Sequence, residues 1–420
     1  MKIDNLRVPP VSEIISAKER LKDVVEKTPL TYNRNLSEFY GAEVFLKRED
    51  LQVVRSYKIR GAYNKIACLS EQHKANGVVC ASAGNHGQGV AYACNKLGIH
   101  GTIFMPTPTP AQKVSQVKSY GGSNVDIVLV GDAFDDAYYE AEKFCKRSES
   151  TFIHPFDDAE VIAGQATVGL EILEDIIKPI DYLILPIGGG GLASGISTYF
   201  KEYSPQTKII GVEPEGAAAM KASFDAGKLV TLPHIDKFVD GAAVKVVGEL
   251  TFQICQDNLD RVITVPEGLV CTTILKMYNE DAIVAEPAGA LSISALKFLQ
   301  DEIKGKNVVC VLSGGNNDIV RTEEIKERSL LYEGLKHYFI VSFPQRAGAL
   351  REFLVDVLGP NDDITHFQYT KKNSRERGPA VIGIELKQSK DFDGLISRLE
   401  KLKFKYEYLN KNPELFHHLI

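Results

Sequence analysis

The 420-residue sequence has no apolar run approaching the roughly 20 residues that span a bilayer, which argues against a membrane partner. Its first residues, Met1-Lys2-Ile3-Asp4-Asn5-Leu6-Arg7, lack the apolar core of a secretory signal and read as a short N-terminal arm. No CxxC pair occurs among Cys68, Cys80, Cys94, Cys145, Cys255, Cys271 and Cys310, so the thiols are expected to be reduced and buried, outside any disulfide framework or zinc site. There is no polybasic face either. With 49 Lys+Arg against 55 Asp+Glu the net charge is −6, which speaks against a nucleic-acid partner. Together these absences predict a soluble, cytoplasmic protein.

What is present is an ordinary globular composition, 44% hydrophobic and 25% charged, on a chain long enough for two to three units at about 150 residues each. Short apolar runs alternate with helical patterns. Glu43 to Arg48, Gly77 to Ala81, Gly101 to Met105 and Val125 to Val130 read as strands, with helices near 58–70, 86–98, 109–119 and 132–147. Asp181 to Pro186, Lys208 to Val212 and Asn307 to Leu312 continue the pattern. Continuous apolar strands separated by helices predict an α/β fold with open, mostly parallel sheets covered on both faces. Ligands in such sheets collect at the carboxyl ends of strands, so motifs that follow strands carry most weight.

The chain is organised around Arg55-Ser56-Tyr57-Lys58-Ile59-Arg60-Gly61-Ala62-Tyr63. Apolar positions from Ile59 onward recur at helical spacing, which puts Lys58 in a first helical turn. There, unpaired N–H groups and the nearby Arg60 disfavour a positive charge and bias the amine toward its reactive neutral form. Such a lysine suits Schiff-base formation with an aldehyde cofactor, against the plain alternative of a surface lysine. Three further stretches follow predicted strands. In Ala81-Ser82-Ala83-Gly84-Asn85-His86-Gly87-Gln88-Gly89, small residues open the backbone to a carboxylate, although a turn capped by Ser82 or Asn85 has the same composition. Gly188-Gly189-Gly190-Gly191-Leu192 costs backbone entropy that close approach to a phosphate would justify, with a flexible connector as the alternative. Leu312-Ser313-Gly314-Gly315-Asn316-Asn317-Asp318 places one hydroxyl at a strand end, where a neutral heterocyclic nitrogen or a simple capped turn would use it.

In this order the four stretches resemble the fold type II family of pyridoxal-phosphate enzymes, and within it the threonine dehydratases, over roughly residues 10–330. The resemblance implies pyridoxal 5'-phosphate as cofactor, attached at Lys58, with Asn85 at its ring hydroxyl, Gly188, Gly189, Gly190, Gly191 and Leu192 at its phosphate and Ser313 at its ring nitrogen. It implies that Ser82, Ala83, Gly84 and His86 hold the substrate carboxylate, with no proton-transfer role for His86. Asp240 to Val244 and Glu286 to Ala290 match segments that border the cofactor. The implied reaction removes the Cα proton of L-threonine through the freed Lys58, expels the β-hydroxyl and ends in 2-oxobutanoate and ammonia.

Two departures separate close relatives. Serine racemases of this fold carry a second serine where Ala83 stands, which favours elimination here. They also bind a divalent cation near the counterpart of Glu213, and Ala219 stands where another carboxylate is expected, so no metal site is predicted. L-serine remains the second candidate substrate, for a dehydratase or a racemase.

Past a charged stretch near 321–334, strands at His337 to Phe343, Ile364 to Tyr369, Ala380 to Leu386 and Phe404 to Leu409, with helices at Gly348 to Leu358 and Asp391 to Leu402, give a ferredoxin-like β-α-β-β-α-β order. It resembles the ACT-like regulatory module of biosynthetic threonine dehydratases. The expected division is a catalytic part at 1–330, with a smaller subdomain at about 44–150, and a regulatory domain at 331–420. Isoleucine is the implied effector, opposed by valine, in a homo-oligomer, tetramer or dimer. A dimerisation module without a ligand is the alternative for this domain. A non-catalytic amino-acid sensor is the alternative for the whole chain.

Overall fold

The computed structural model describes residues 7–369 and 377–412, so the expectation of an N-terminal arm at Met1 to Leu6 lies outside the described residues. Two compact units divide at Asp318 and Ile319, which places the helix Thr322–Tyr332 in the second unit.

The first unit holds two sheets. Its strands are β1 (Leu30–Tyr32), β2 (Glu43–Arg48), β3 (Val78–Ala81), β4 (Gly101–Met105), β5 (Val125–Leu129), β6 (Thr151–Phe152), β7 (Tyr182–Pro186), β8 (Lys208–Pro214), β9 (Arg261–Val265) and β10 (Asn307–Leu312). The larger sheet has the order β1-β2-β10-β7-β8-β9 and the smaller β5-β4-β3-β6. All pairings are parallel except β1 with β2. Every residue of β7 is buried, as its unbroken Tyr-Leu-Ile-Leu-Pro run requires of a parallel strand with helices on both faces. Each such Leu or Ile contributes about 1.5–3 kcal/mol on burial.

The structure corrects several sequence expectations. Glu43–Arg48, expected near the start of the smaller subdomain, belongs to the larger sheet, because β10 returns to pair with it in register from Asn307↔Glu43 to Leu312↔Arg48. Strands β1, β6 and β9 went unrecognised: β1 and β6 are too short to show a period, and β9 is only partly buried. The helix beginning at Lys58 ends at Ala67.

The second unit carries β11 (Lys336–Pro344), β12 (Asp363–Tyr369), β13 (Arg377–Glu385) and β14 (Lys405–Tyr408) in the antiparallel order β12-β13-β11-β14. Phe339, Phe353, Ile382, Leu395 and Leu399 form its core between sheet and helices. The predicted helix at 348–358 is one α-turn, Ala349–Glu352, followed by a π-helical turn, Phe353–Val357. No helix among the described residues is long and apolar enough to cross a membrane.

Candidate active site

Lys58 is the first residue of the helix Lys58–Ala67, with Tyr57 at its N-cap. The segment ahead of it is stitched to the end of β10: Tyr57 N donates to Ser313 O at 3.2 Å, Gly315 N donates to Arg55 O at 2.9 Å, and Ser56 bridges Gly314. The helix Asn85–Leu97 approaches from the smaller sheet, and Gly89 permits the contact, since a Cβ there would sit 3.1 Å from the Lys58 carbonyl. Backbone geometry alone therefore brings three of the four stretches together.

The fourth arrives through a segment that sequence reasoning missed, His154-Pro155-Phe156-Asp157-Asp158. Lys58 Nζ donates to Pro155 O at 2.7 Å. Phe156 lies so close to the glycine run that a Cβ at Gly189 would overlap its ring and one at Gly191 would fall 3.0 Å from its Cα. Cβ atoms at Gly188 and Gly190 would crowd Ala242 and Thr251 at 2.9 and 2.8 Å. Packing thus supplies a reason for four glycines independent of any phosphate. Gly190 also takes φ +96° as N-cap of the helix Gly191–Tyr203, whose first-turn N–H groups have no partner within the helix. The missed segment follows β6, so recognising that two-residue strand would have flagged it.

The remaining predicted residues lie around this junction. Ser82, Ala83 and Gly84 form the turn after β3, where Gly84 N donates to Ser82 Oγ at 3.2 Å. Asn85 donates to Glu286 Oε1 at 2.6 Å and accepts from Asn316 Nδ2 at 2.6 Å. His86 Nε2 donates to Ile153 O at 2.9 Å. Ser313 is buried and its Oγ donates to Ala288 O at 3.3 Å. Leu192 is buried in the core of the larger sheet behind the glycine turn.

Titrating groups here are displaced as dry surroundings demand. Burial lowers the Lys58 ammonium to about 8, against an opposing pull from Glu286. Burial and the Lys58 charge press His86 to about 3 and His154 to about 4, so both rings are neutral. Burial, with the charge of Asp240, raises the Glu286 carboxyl to about 7. Arg60 does not have the influence on Lys58 expected of it: its guanidinium is balanced by Glu49 and Glu171 away from the amine, and desolvation does the work instead.

In the first unit, Ser56 Oγ, Asn316 Oδ1 and Asn317 Oδ1 are buried without a hydrogen-bond partner, and all three flank the Lys58 and Ser313 junction. Orphaned polar atoms cost about 1–3 kcal/mol each and mark a place built for a polar guest. A lysine of lowered pKa, a neutral hydroxyl at a strand end and a helix start whose first-turn N–H groups have no partner within the helix fit a phosphorylated pyridine aldehyde. Glu213 serves otherwise: it accepts from the N–H groups of Met220 and Lys221 at 2.8 and 2.7 Å. Gly189→Ala tests how tightly the turn packs on Phe156: overpacking costs about 1–3 kcal/mol, so this variant is expected to lose roughly that much stability in urea unfolding.

Residues 21–314 match the family described as pyridoxal-phosphate dependent enzyme, and residues 327–419 match the C-terminal regulatory domain of threonine dehydratase. A biosynthetic L-threonine dehydratase of Halalkalibacterium halodurans is 60% identical over 98% of this chain and 99% of its own length. The processed form of threonine deaminase isoform 2 from Solanum lycopersicum superposes with a TM-score of 0.72 at 38% identity, over 78% of this chain and 99% of that one. Maize serine racemase gives 0.71 at 32% identity over 78% and 99%. The chain therefore belongs to the pyridoxal-phosphate-dependent enzymes, in their biosynthetic threonine dehydratase branch with a C-terminal regulatory domain.

Proposed function

We propose that the protein converts L-threonine to 2-oxobutanoate and ammonia, with Lys58 as the catalytic amine. The observation that carries this reading is the position of Lys58: a lysine lowered to about 8 where four strand-end segments and the Pro155 carbonyl converge. Asn85, Ser313 and the turn Gly188 to Leu192 would hold the cofactor, and Ser82, Ala83, Gly84 and His86 the substrate carboxylate. When bound, pyridoxal phosphate supplies the electron sink that makes the substrate Cα–H acidic. Lys58 would take that proton, and the Pro155 carbonyl, which accepts from its Nζ, would hold the ammonium form afterwards. Ser313 offers a hydroxyl that cannot carry a charge, and neutral His86 commits its one N–H to the Ile153 carbonyl and so is no acid for the leaving group. Ala83 supplies no acid or base on the far side of the site, which supports elimination over the racemisation named for the maize neighbour.

At pH 7 most of the Lys58 amine is protonated. Attachment of free pyridoxal phosphate to cofactor-stripped protein is expected to quicken as pH rises toward 8 and level off above it, in stopped-flow absorbance. A rate still climbing through pH 10 would return the lysine to its ordinary value of about 10.4.

The regulatory domain binds a small-molecule effector, which this reading takes to be isoleucine, opposed by valine. In the second unit a cavity of about 440 Å³ is lined by Leu350, Leu354, Val355 and Phe367, with Arg346 and Arg351 among its polar residues. Its apolar wall suits a branched side chain, and a guanidinium suits a carboxylate. Unpaired cysteines throughout the described residues are in keeping with a reducing cytoplasm. A homo-oligomer, tetramer or dimer, completes the reading. The test is 2-oxo acid formation from L-threonine and L-serine, with and without isoleucine. Turnover of L-threonine with a saturation curve displaced by isoleucine is expected. Inertness of cofactor-loaded protein toward both amino acids would refute the dehydratase, and an unmoved curve would refute only the effector.

A further inference from the structure

Behind Lys58 lies a fully buried set of charges that the reaction does not use. Arg60 grips Glu49 through Nε and Nη2, both at 2.8 Å, and Glu171 through Nη1 at 2.6 Å and Nη2 at 2.9 Å. Its Nη1 also donates to Thr167 Oγ1 at 3.1 Å. Lys47 Nζ donates to Glu171 and to Thr28 O, both at 2.6 Å, and Thr28 Oγ1 donates to Glu49 at 2.6 Å. Arg60, Lys47 and Glu49 have no solvent exposure. Two cations face two carboxylates, with the guanidinium saturated from both sides.

Such a set is weak evidence for stability, since well-packed apolar side chains often serve a core as well. What it does supply is orientation. Arg60 follows Lys58 by two positions, roughly 200° around the helix, so the two side chains leave its first turn on nearly opposite sides. The carboxylate of Glu171 belongs to the helix Ala159–Asp175, against which the first turn packs so closely that a Cβ at Gly164 would lie 2.5 Å from Arg60 O. Asp158 caps that same helix through the N–H groups of Glu160 and Val161, and just upstream of it Pro155 receives the Lys58 amine. A closed circuit results, running from Lys58 to Pro155, along the capped helix to Glu171, and back through Arg60.

We infer that Arg60 is a positioning residue for Lys58, clamping the first helical turn from behind so that the amine is held at the Pro155 carbonyl. The inference rests on the proposed role of Lys58. It explains the choice of arginine, because a planar fork can hold two carboxylates at fixed angles whereas an ammonium is a single point of charge.

The test uses full-length protein stripped of cofactor. Arg60→Lys keeps the charge and loses the fork. Misplacement by about 1 Å costs up to about a hundredfold, so pyridoxal phosphate attachment is expected to slow at least tenfold. The half-point of its pH profile should move upward from about 8 as the amine gains access to water. Loaded enzyme should lose kcat with KM for L-threonine nearly unchanged. Leu299→Ala, a buried truncation in the helix Leu296–Ile303, is the control: it should lower the melting temperature and leave attachment rate and profile alone. Arg60→Lys behaving like that control would overturn the inference. Should Arg60→Lys not fold, Thr167→Val retains every charge and removes one bond to Nη1, and an attachment rate equal to wild type in that variant would overturn it as well. Lys58→Ala runs alongside: borohydride-trapped cofactor in that variant would refute the role of Lys58 itself, an outcome distinct from either arginine result.

Discussion

Lys58→Ala is expected to leave a folded protein whose 2-oxobutanoate formation has fallen by about a thousandfold or more. A positioned general base contributes about 10²–10⁴ in rate, and this residue is also assigned the covalent attachment of the cofactor. Its fold should survive because the side chain makes few structural bonds. Lys58 is half-buried, its amine donates to Pro155 O, and the helix Lys58–Ala67 is held through Ile59, Ala62 and Ile66, all with no solvent exposure. Steady-state assay with L-threonine, together with mass spectrometry after borohydride treatment, reads both effects. Retention of a tenth of the wild-type rate, with cofactor trapped on another lysine, would remove Lys58 from the reaction.

Glu49→Ala should be the most damaging change to stability, at about 3–5 kcal/mol, because it leaves half of a buried guanidinium without its partner. The exposed pair Arg261–Glu302 sets the scale: at 41% and 42% side-chain exposure, Glu302→Ala should cost under about 1 kcal/mol. Acid sensitivity follows from the same group. Burial by itself would raise the Glu49 carboxyl, but the charge and hydrogen bonds of Arg60, with Lys47 and Thr28, hold it below the ordinary carboxylate value. A depressed folded pKa gives stability that is present above the unfolded value of about 4.3 and lost as pH falls through the folded one. Wild type should therefore lose more stability than Glu49→Gln between neutral and strongly acidic pH. Urea unfolding of both proteins at several pH values checks this, and parallel curves would show that Glu49 is not the group responsible.

Much of the candidate site was legible because its chemistry is local in sequence. Lysine at a helix start, a run of glycines between strand and helix, and a serine at a strand end each announce themselves through residue types that are costly or unusual where they stand. The second unit was legible for a related reason: β11, β13 and the helix Phe392–Lys401 are long enough to show their periods, and Phe339, Ile382 and Leu395 fall on the faces those periods imply. Arg60 illustrates the opposite case. Proximity in sequence suggested that it acts on the Lys58 charge, whereas two positions on a helix point it the other way.

By itself the sequence determined the class of fold, the order of elements and the residue types available for chemistry, because apolar periodicity and backbone permissiveness are properties of neighbouring residues. Only the tertiary structure decided that Pro155 meets Lys58, that Phe156 closes on the glycine turn, that Asn85 is shared between Glu286 and Asn316, and that β2 joins the larger sheet. These contacts join residues far apart in the chain, 264 positions for β10 against β2 and 262 for Asn316 against Val54. Their free energy depends on how elements pack and how far each group is withdrawn from water, neither of which is encoded in any short stretch.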